Sequence, residues 1–137
     1  MNSSRLRPAP AKIATVLGFA LAASIWLAPQ AKAEGLAGSW KGSGVVTFSD
    51  GHRERAKCRA HYSQSGQTVS LNGVCATASG SVEQTARLRQ SGPDSYAGSF
   101  QNAQFGIQGK IHVTVRGNSQ TVSLRSDSAS ASLTLQR

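Results

Sequence analysis

Residues 55–75 have the sequence RAKCRAHYSQSGQTVSLNGVC, and this segment has the pattern of a β-hairpin. On either side of Gly66 and Gln67, small or apolar residues alternate with polar ones, which is typical of a half-buried strand. A two-residue loop that begins with glycine favours a type II′ turn, because its first position needs a positive φ. With Gly66 and Gln67 as the loop, residues whose numbers sum to 133 lie opposite each other.

This register places Cys58 and Cys75, the two cysteines of the chain, directly opposite each other. They fall on a non-hydrogen-bonded pair, where Cα atoms are about 4.5 Å apart, at the short end of the range that a disulfide tolerates. We therefore predict a Cys58–Cys75 disulfide. The alternative is a pair of buried free thiols.

Residues 1–33 have the features of a secretory signal peptide. Arg5, Arg7 and Lys12 form a basic start, an apolar run follows from Ile13 to Leu27, and Ala31-Lys32-Ala33 fits a small-x-small cleavage site. The apolar run is short for a membrane span, which needs about 20 residues. We predict Sec-type export and no membrane span after the signal is cleaved.

The predicted mature chain, residues 34–137, has the size of a single domain. Without residues 1–33 the chain loses four of its fifteen Lys and Arg residues and none of its six Asp and Glu residues, so its formal net charge is +5. An oxidising space outside the cytoplasm agrees with the predicted disulfide. We predict a monomeric periplasmic protein, with full secretion as the alternative.

The mature chain has no helical periodicity. Strand-like runs recur about every 12 residues, with turn-forming residues between them, which is typical of a sandwich or a barrel. Eight runs joined by short connections favour an antiparallel meander, and closing it removes both exposed edges. We predict an all-β, eight-stranded antiparallel up-and-down barrel, with a flattened barrel or sandwich as the alternative. The sixth strand is predicted to begin at Phe105.

The first two predicted strands meet at a turn over residues 49–52. A loop with an odd number of residues is needed to bring Trp40 and Tyr62 to the same face of the sheet. We predict residues 50–52 as this loop, so that partners sum to 102. The predicted pairs are Trp40 with Tyr62, Gly42 with Ala60, and Gly44 with Cys58.

The segment Gly38-Ser39-Trp40 resembles the Gly-x-Trp start of the calycins, which include lipocalins, fatty-acid-binding proteins and avidins. The resemblance implies a barrel that Trp40 closes at one end, and a carrier of a small hydrophobic ligand. The size, export signal and single disulfide also resemble small periplasmic barrel inhibitors of metalloproteases. We rank that function lower, because only a short segment precedes Gly38.

Small residues and rings form a predicted row inside the barrel. An eight-stranded barrel is just wide enough to be filled by side chains or to hold one small ligand, and dense filling is the alternative to a pocket. The candidate pocket residues are Trp40, Gly42, Ala60, Tyr62, Leu71 and Gly73.

Basic residues share the outward face of the second predicted strand. Such a ladder favours an anionic envelope component or an acidic protein as partner, and we predict this binding as the main function, with the hydrophobic-ligand carrier and the protease inhibitor as alternatives. The alternative is a solvated charged face that protects the sheet. Export and the lack of interleaved aromatic residues argue against nucleic acid. The candidate residues are Arg55, Lys57, Arg59 and His61, with Lys41 predicted to lie near His61 on the preceding strand.

Catalytic and metal-binding patterns are missing from the sequence. No Gly-x-Ser-x-Gly motif is present, and His52, His61 and His112 are scattered without a metal-ligand spacing. We therefore predict a non-enzymatic protein without a cofactor or a metal ion.

Overall fold

The computed structural model describes Pro10 and residues 35–137, and residues 35–137 form a closed eight-stranded barrel. Each strand pairs antiparallel with the next one, and the last pairs with the first. The predicted all-β antiparallel barrel is confirmed. Apart from Pro10, the predicted signal peptide lies outside the described residues. The strands are β1 (Gly38–Phe48), β2 (Arg53–Ser65), β3 (Thr68–Thr77), β4 (Gly80–Gly92), β5 (Ser95–Asn102), β6 (Ile107–Arg116), β7 (Ser119–Ser126) and β8 (Ala129–Gln136).

Alternation along the strands divides the side chains between the barrel interior and its outer surface. In β2, every second residue from Glu54 to Tyr62 is buried, and the residues between them are exposed. β7 shows the same pattern from Gln120 to Leu124. Removal of the inward apolar side chains from water is the main favourable contribution to folding.

The β2–β3 hairpin has the predicted register. Gly66 has a φ of 61° and begins the two-residue loop between Ser65 and Thr68. Cys58 lies opposite Cys75, and the two are joined by a disulfide with a Cα–Cα distance of 4.1 Å. The predicted disulfide is therefore confirmed.

The β1–β2 hairpin has an odd-numbered loop, as predicted, but its register differs by two residues. The Phe48 N–H donates to the His52 carbonyl at 2.8 Å, so the loop comprises residues 49–51. Gly51 closes this loop with a φ of 88°, the left-handed position of a three-residue loop that glycine fills best. The loop is further held by the His52 N–H, which donates to Asp50 Oδ1 at 2.8 Å.

The partners of β1 and β2 consequently sum to 100, so the pairs predicted between these strands were wrong. This shift moves Tyr62 away from Trp40 and puts Lys41 opposite Arg59, not near His61. The observed pairs are Gly38 with Tyr62, Trp40 with Ala60, Lys41 with Arg59, Gly42 with Cys58, and Gly44 with Ala56.

The start of β6 also differs from the prediction. Phe105 lies in the β5–β6 connection, and the strand begins at Ile107. The Phe105 N–H donates to Asn102 Oδ1 at 3.2 Å, and Gly106 adopts a φ of 63°. A side-chain acceptor and a left-handed glycine thus form a turn here, although the apolar alternation continues through Phe105.

Candidate functional site

The two ends of the barrel have different structures. Residues 35–37 and the connections β2–β3, β4–β5 and β6–β7 lie at one end, here called the closed end. The other four connections lie at the opposite end, here called the open end.

Trp40 fills the closed end. Its indole is 2% exposed, and Nε1–H donates to the Leu36 carbonyl at 2.9 Å. The Arg137 guanidinium lies over the indole, 4.3 Å from the ring centroid, and donates to the carbonyls of Gly35 and Ala37. Ring, guanidinium and main chain together cover the barrel interior at this end.

A buried polar pair lies beneath this cover. The Tyr62 hydroxyl donates to Gln120 Oε1 at 2.9 Å, and both residues are 1% exposed. Burial raises the pKa of Tyr62 above its ordinary value, because the low-dielectric interior disfavours the phenolate. Among the described residues, Gln120 Nε2 has no hydrogen-bond partner. The apolar packing of the closed half thus encloses a buried hydrogen bond between two side chains.

The open half of the interior contains a cavity of about 650 Å³. Residues from all eight strands line it, and exposed residues of three connections, Ser79, Phe105 and Ser128, border it. The cavity therefore reaches the open end of the barrel. Its apolar wall includes Val46, Ala56, Val82, Ile107, Leu124 and Leu133.

A few polar groups interrupt this apolar wall. Glu54 is 8% exposed, and its Oε1 accepts a hydrogen bond from Ser79 Oγ at 2.6 Å. Asn102 is buried, and its Oδ1 accepts a hydrogen bond from Phe105 in the β5–β6 turn. Gln84 is half-buried on β4. The arrangement can bury an apolar molecule and offer it a small number of hydrogen-bond partners.

The residues predicted as an interior pocket lie elsewhere. None of the six lines the cavity at the open end. Trp40, Tyr62 and Leu71 are buried core residues, as is Ala60, while Gly42 and Gly73 are half-buried. The structure thus places these residues in the filled half of the barrel, or at its transition to the cavity.

The structure explains the glycine at position 42 by close packing of the main chain and not by space for a ligand. A Cβ atom on Gly42 would lie 2.0 Å from the Thr134 carbonyl oxygen and 2.8 Å from Leu135 Cα. The missing side chain therefore accommodates the close approach of the β8 main chain.

The predicted basic strand face lies on the outside of the barrel. Arg55, Lys57, Arg59 and His61 are all exposed on β2, as is Lys41 on β1. We call these five residues the basic face. Lys41, Lys57 and Arg59 border a depression in the outer surface of β1–β3.

Among the described residues, the direct cross-strand partners of the basic face include no acidic residue. The cross-strand partners of Lys57 are Ser43 and Ala76, and those of Arg59 are Lys41 and Val74. His61 contacts a neutral partner, since Ser39 Oγ and His61 Nδ1 are 3.2 Å apart. Like charges at directly opposed positions are destabilising, so the Lys41–Arg59 pair is unfavourable in the isolated protein.

The described residues provide no cluster suited to a metal ion. Among Pro10 and residues 35–137, no three His, Cys, Asp or Glu side chains are grouped as ligands. His52 stacks on Phe48 with ring centroids 5.6 Å apart, and His112 lies exposed on β6. Over the same residues, no helix is long and apolar enough to cross a membrane.

Sequence reasoning missed Glu54 as a site residue. Glu54 has the same parity as Ala56 and Cys58, so the alternation of β2 points it inward. That signal was present in the sequence. Glutamate is usually exposed in folded proteins. In β2, the alternation of the strand nevertheless places Glu54 on the buried face.

Comparison with known proteins identifies the fold. No family model and no curated protein match the chain. Among solved structures, a redesigned β-barrel, mFAP1, bound to DFHBI is similar, with a TM-score of 0.62 and 18% identity over 74% of this chain and 94% of that one. A de novo designed fluorescence-activating barrel has a TM-score of 0.57 and 19% identity over 74% of this chain and 92% of that one. The chain therefore shares the eight-stranded barrel fold of these designed proteins.

Proposed function

We propose that the protein is a non-enzymatic binding protein that holds a small hydrophobic molecule in the cavity at the open end. The observation that carries this proposal is a cavity of about 650 Å³ with an apolar wall. Protein sites for small molecules are typically apolar concavities of roughly 300–1,000 Å³ with a few polar groups. An apolar ligand would remove its own surface and that of the wall from water, at roughly 25 cal/mol per Å².

The closed barrel supports this function because it preforms the site. Hydrogen-bonded pairing around the whole barrel and the Cys58–Cys75 disulfide restrain the cavity wall. A restrained site loses less conformational freedom when a ligand binds. A designed barrel of similar fold is bound to DFHBI, which supports a ligand-binding role for a barrel of this kind.

We also propose that the protein works outside the cytoplasm, as a calycin-like carrier in the periplasm or beyond. The signal-peptide pattern over residues 1–33 and the Gly38-Ser39-Trp40 segment support this proposal. The disulfide supports it as well, because such bonds persist mainly in oxidising compartments.

The test of ligand binding compares two Ala→Phe variants on opposite faces of the sheet. Ala131 lines the cavity and pairs with Val46 and Leu124, so Ala131→Phe would place a ring in the cavity. Ala76 is exposed on β3, so Ala76→Phe adds the same ring outside. Titration with neutral N-phenylnaphthylamine, followed by fluorescence, measures binding.

We expect saturable binding of the probe to the wild type and to Ala76→Phe. Binding to Ala131→Phe should be on the order of tenfold weaker or more, because the added ring occupies the ligand volume. Equal binding by Ala131→Phe and wild type, with both variants folded, would contradict the proposed cavity function.

A second candidate function is binding of an anionic envelope component or acidic protein on the basic face. The observation that favours it is the direct opposition of Lys41 and Arg59 beside Lys57, since an anionic partner would relieve this repulsion. Binding of lipopolysaccharide, as a probe, should weaken with salt because exposed charges are screened over about 8 Å at physiological ionic strength. Replacing Arg55, Lys57 and Arg59 with Ser should abolish it; undiminished binding by this triple variant would count against the second function.

A further inference from the structure

In the part of the chain that the structure describes, one ionisable side chain lines the cavity at the open end. Among the described residues that line it, Glu54 is the one acidic residue, and none is Lys, Arg or His. Arg53 precedes Glu54 in the chain, but its side chain is exposed on the outer face of β2. The cavity therefore has a negative group without a cation of its own.

Glu54 has one hydrogen-bond partner within the described part of the chain. Ser79 Oγ donates to Oε1 at 2.6 Å. A carboxylate accepts up to about four hydrogen bonds, and a buried charge is unfavourable unless it is paired. The second carboxylate oxygen is thus available to a donor that enters the cavity.

Aromatic rings provide a second, independent feature that suits a cation. Phe48, Phe100 and Phe105 line the same cavity, and Phe105 is 59% exposed although it is a large apolar residue. Ring faces attract organic ammonium groups, and the attraction increases when the group is desolvated. The three rings and Glu54 therefore favour the same kind of ligand.

The rim of the open end has charges of both signs, since Arg53 is exposed at the start of β2. Asp50 lies in the β1–β2 turn and Asp127 in the β7–β8 turn, and both are exposed. The basic face, in contrast, is on the outer wall of the barrel. The rim therefore does not select for the sign of a ligand, and Glu54 in the cavity wall is the group that favours a cation.

We propose that the ligand is a small organic cation, an amine joined to an apolar body, whose ammonium group binds Glu54. This inference rests on the proposed binding function and names the chemical class of its ligand. The apolar body fills the wall formed by residues such as Val82 and Leu124, while the ammonium donates to the free carboxylate oxygen. A ligand of the same shape with a carboxylate would place two negative charges together and would be rejected.

The test uses three molecules of matched shape: phenylbutylamine, phenylbutanol and phenylbutyrate. Calorimetric titration of the purified protein should give the tightest binding for the amine, weaker binding for the alcohol, and the weakest for the acid. We expect the amine to bind on the order of tenfold more tightly than the alcohol, because both can donate a hydrogen bond to the carboxylate and the ammonium group adds the attraction of opposite charges.

Two Glu→Gln variants separate the role of the cavity charge from that of net charge. Glu54→Gln should lower the affinity for the amine to that for the alcohol, and the affinity for the alcohol should not change. Glu83→Gln removes the same charge from an exposed position on β4 and should change neither affinity.

The outcomes distinguish this inference from the function on which it rests. If the amine and the alcohol bind wild type equally well, the preference for a cation is refuted and the cavity function stands. If none of the three ligands and no N-phenylnaphthylamine binds, both are refuted. Tighter binding of the acid than of the alcohol would overturn the inference even if Glu54→Gln failed to fold.

Discussion

At the residue scale, Tyr62 shows how a buried polar group limits what the interior tolerates. Its ring packs in the closed half of the barrel, and its hydroxyl is satisfied by one acceptor, Gln120 Oε1. Removing one partner of a buried pair leaves the other without compensation for its lost hydration. Tyr62 therefore contributes through the hydrogen bond as well as through its apolar area.

We predict that Tyr62→Phe lowers the free energy of unfolding by about 1–3 kcal/mol, because it strands Gln120 in an apolar interior. Urea denaturation measures this change. Tyr96→Phe is a matched control, since Tyr96 is also buried, at 4% exposed. Equal losses for the two variants would mean that the Gln120 hydrogen bond has no special role.

The raised pKa of Tyr62 predicts that the stability of the protein depends on pH in the alkaline range. Burial raises the pKa of Tyr62 above its ordinary value of 10.0, so above that pH the unfolded chain releases a proton that the folded chain retains. The free energy of unfolding should therefore be unaffected by this group below about pH 10 and fall as the pH rises further. Tyr62→Phe should show a shallower decline, and an identical slope in both proteins would contradict the assignment.

At the scale of the strands, the close approach of β1 and β8 explains why β1 is rich in glycine. A Cβ on Gly42 would meet β8 main-chain atoms at 2.0 and 2.8 Å, whereas one on Gly73 would have its nearest neighbour at 3.6 Å. Main-chain atoms cannot move aside as a side chain can. Closure of the barrel between its first and last strands thus depends on Gly42 and on Gly44, whose Cβ would lie 2.0 Å from the Ser132 carbonyl oxygen.

We expect Gly42→Ala to destabilise the protein by more than about 3 kcal/mol, through overpacking against the main chain. Gly73→Ala adds the same methyl group at ordinary contact distance and should change stability by less than about 1 kcal/mol. Thermal unfolding followed by far-UV circular dichroism measures both. Similar stability of the two variants would refute the proposed role of the close approach.

The disulfide acts at the scale of the β2–β3 hairpin. It links residues 17 apart in the chain, and closing a loop of this size stabilises a fold by about 3 kcal/mol in the chain-entropy model. We predict that the double variant Cys58→Ala, Cys75→Ala retains the barrel and loses about this much stability toward urea. A reduced wild-type protein should behave like the double variant, and no loss in either would contradict the prediction.

How far the sequence determined these strands depends on the turn at each hairpin. The glycine-led loop at Gly66 has one register, and it was predicted correctly. For the β1–β2 loop, the sequence pattern required only an odd number of residues. Loops over 49–51 and over 50–52 both keep Trp40 inside the barrel. The positive φ of Gly51 fits the last position of the loop over 49–51, which the structure shows. Alternation of apolar residues did not locate the start of β6 correctly. The pattern includes Phe105, but Phe105 lies in a turn and does not pair with a neighbouring strand.

The location of the cavity follows from the sizes of inward residues, which only the correct register aligns. Along β2 these residues run from Tyr62 at the closed end to Ala56 and Glu54 at the open end. Along β8 they run from Leu135 to Ala131 in the same direction. On these two strands the larger inward side chains thus coincide at the closed end, and Ala56 and Ala131 lie toward the open end, which neither strand reveals alone.

At the scale of the whole molecule, the two candidate surfaces lie on opposite sides of the same sheet. Alternation along β2 puts Arg55, Lys57 and Arg59 outside, while Glu54 and Ala56 line the cavity inside. The two sets share strands, yet the cavity wall contains none of the basic-face residues. Substitutions at sites without shared partners usually have additive effects.

We therefore predict that the cavity and the basic face can be changed independently. The triple variant Arg55→Ser, Lys57→Ser, Arg59→Ser should bind N-phenylnaphthylamine as wild type does, because its changes lie on exposed positions. Conversely, Ala131→Phe should lose the neutral probe and keep the wild-type response to lipopolysaccharide at every salt concentration. Titrations of both variants with both probes measure this, and Ala76→Phe serves as a control for the neutral probe alone, because Ala76 pairs with Lys57 on the basic face. Failure of the folded triple variant to bind N-phenylnaphthylamine would mean that the outer charges affect the cavity through the sheet, and it would contradict the independence of the two surfaces.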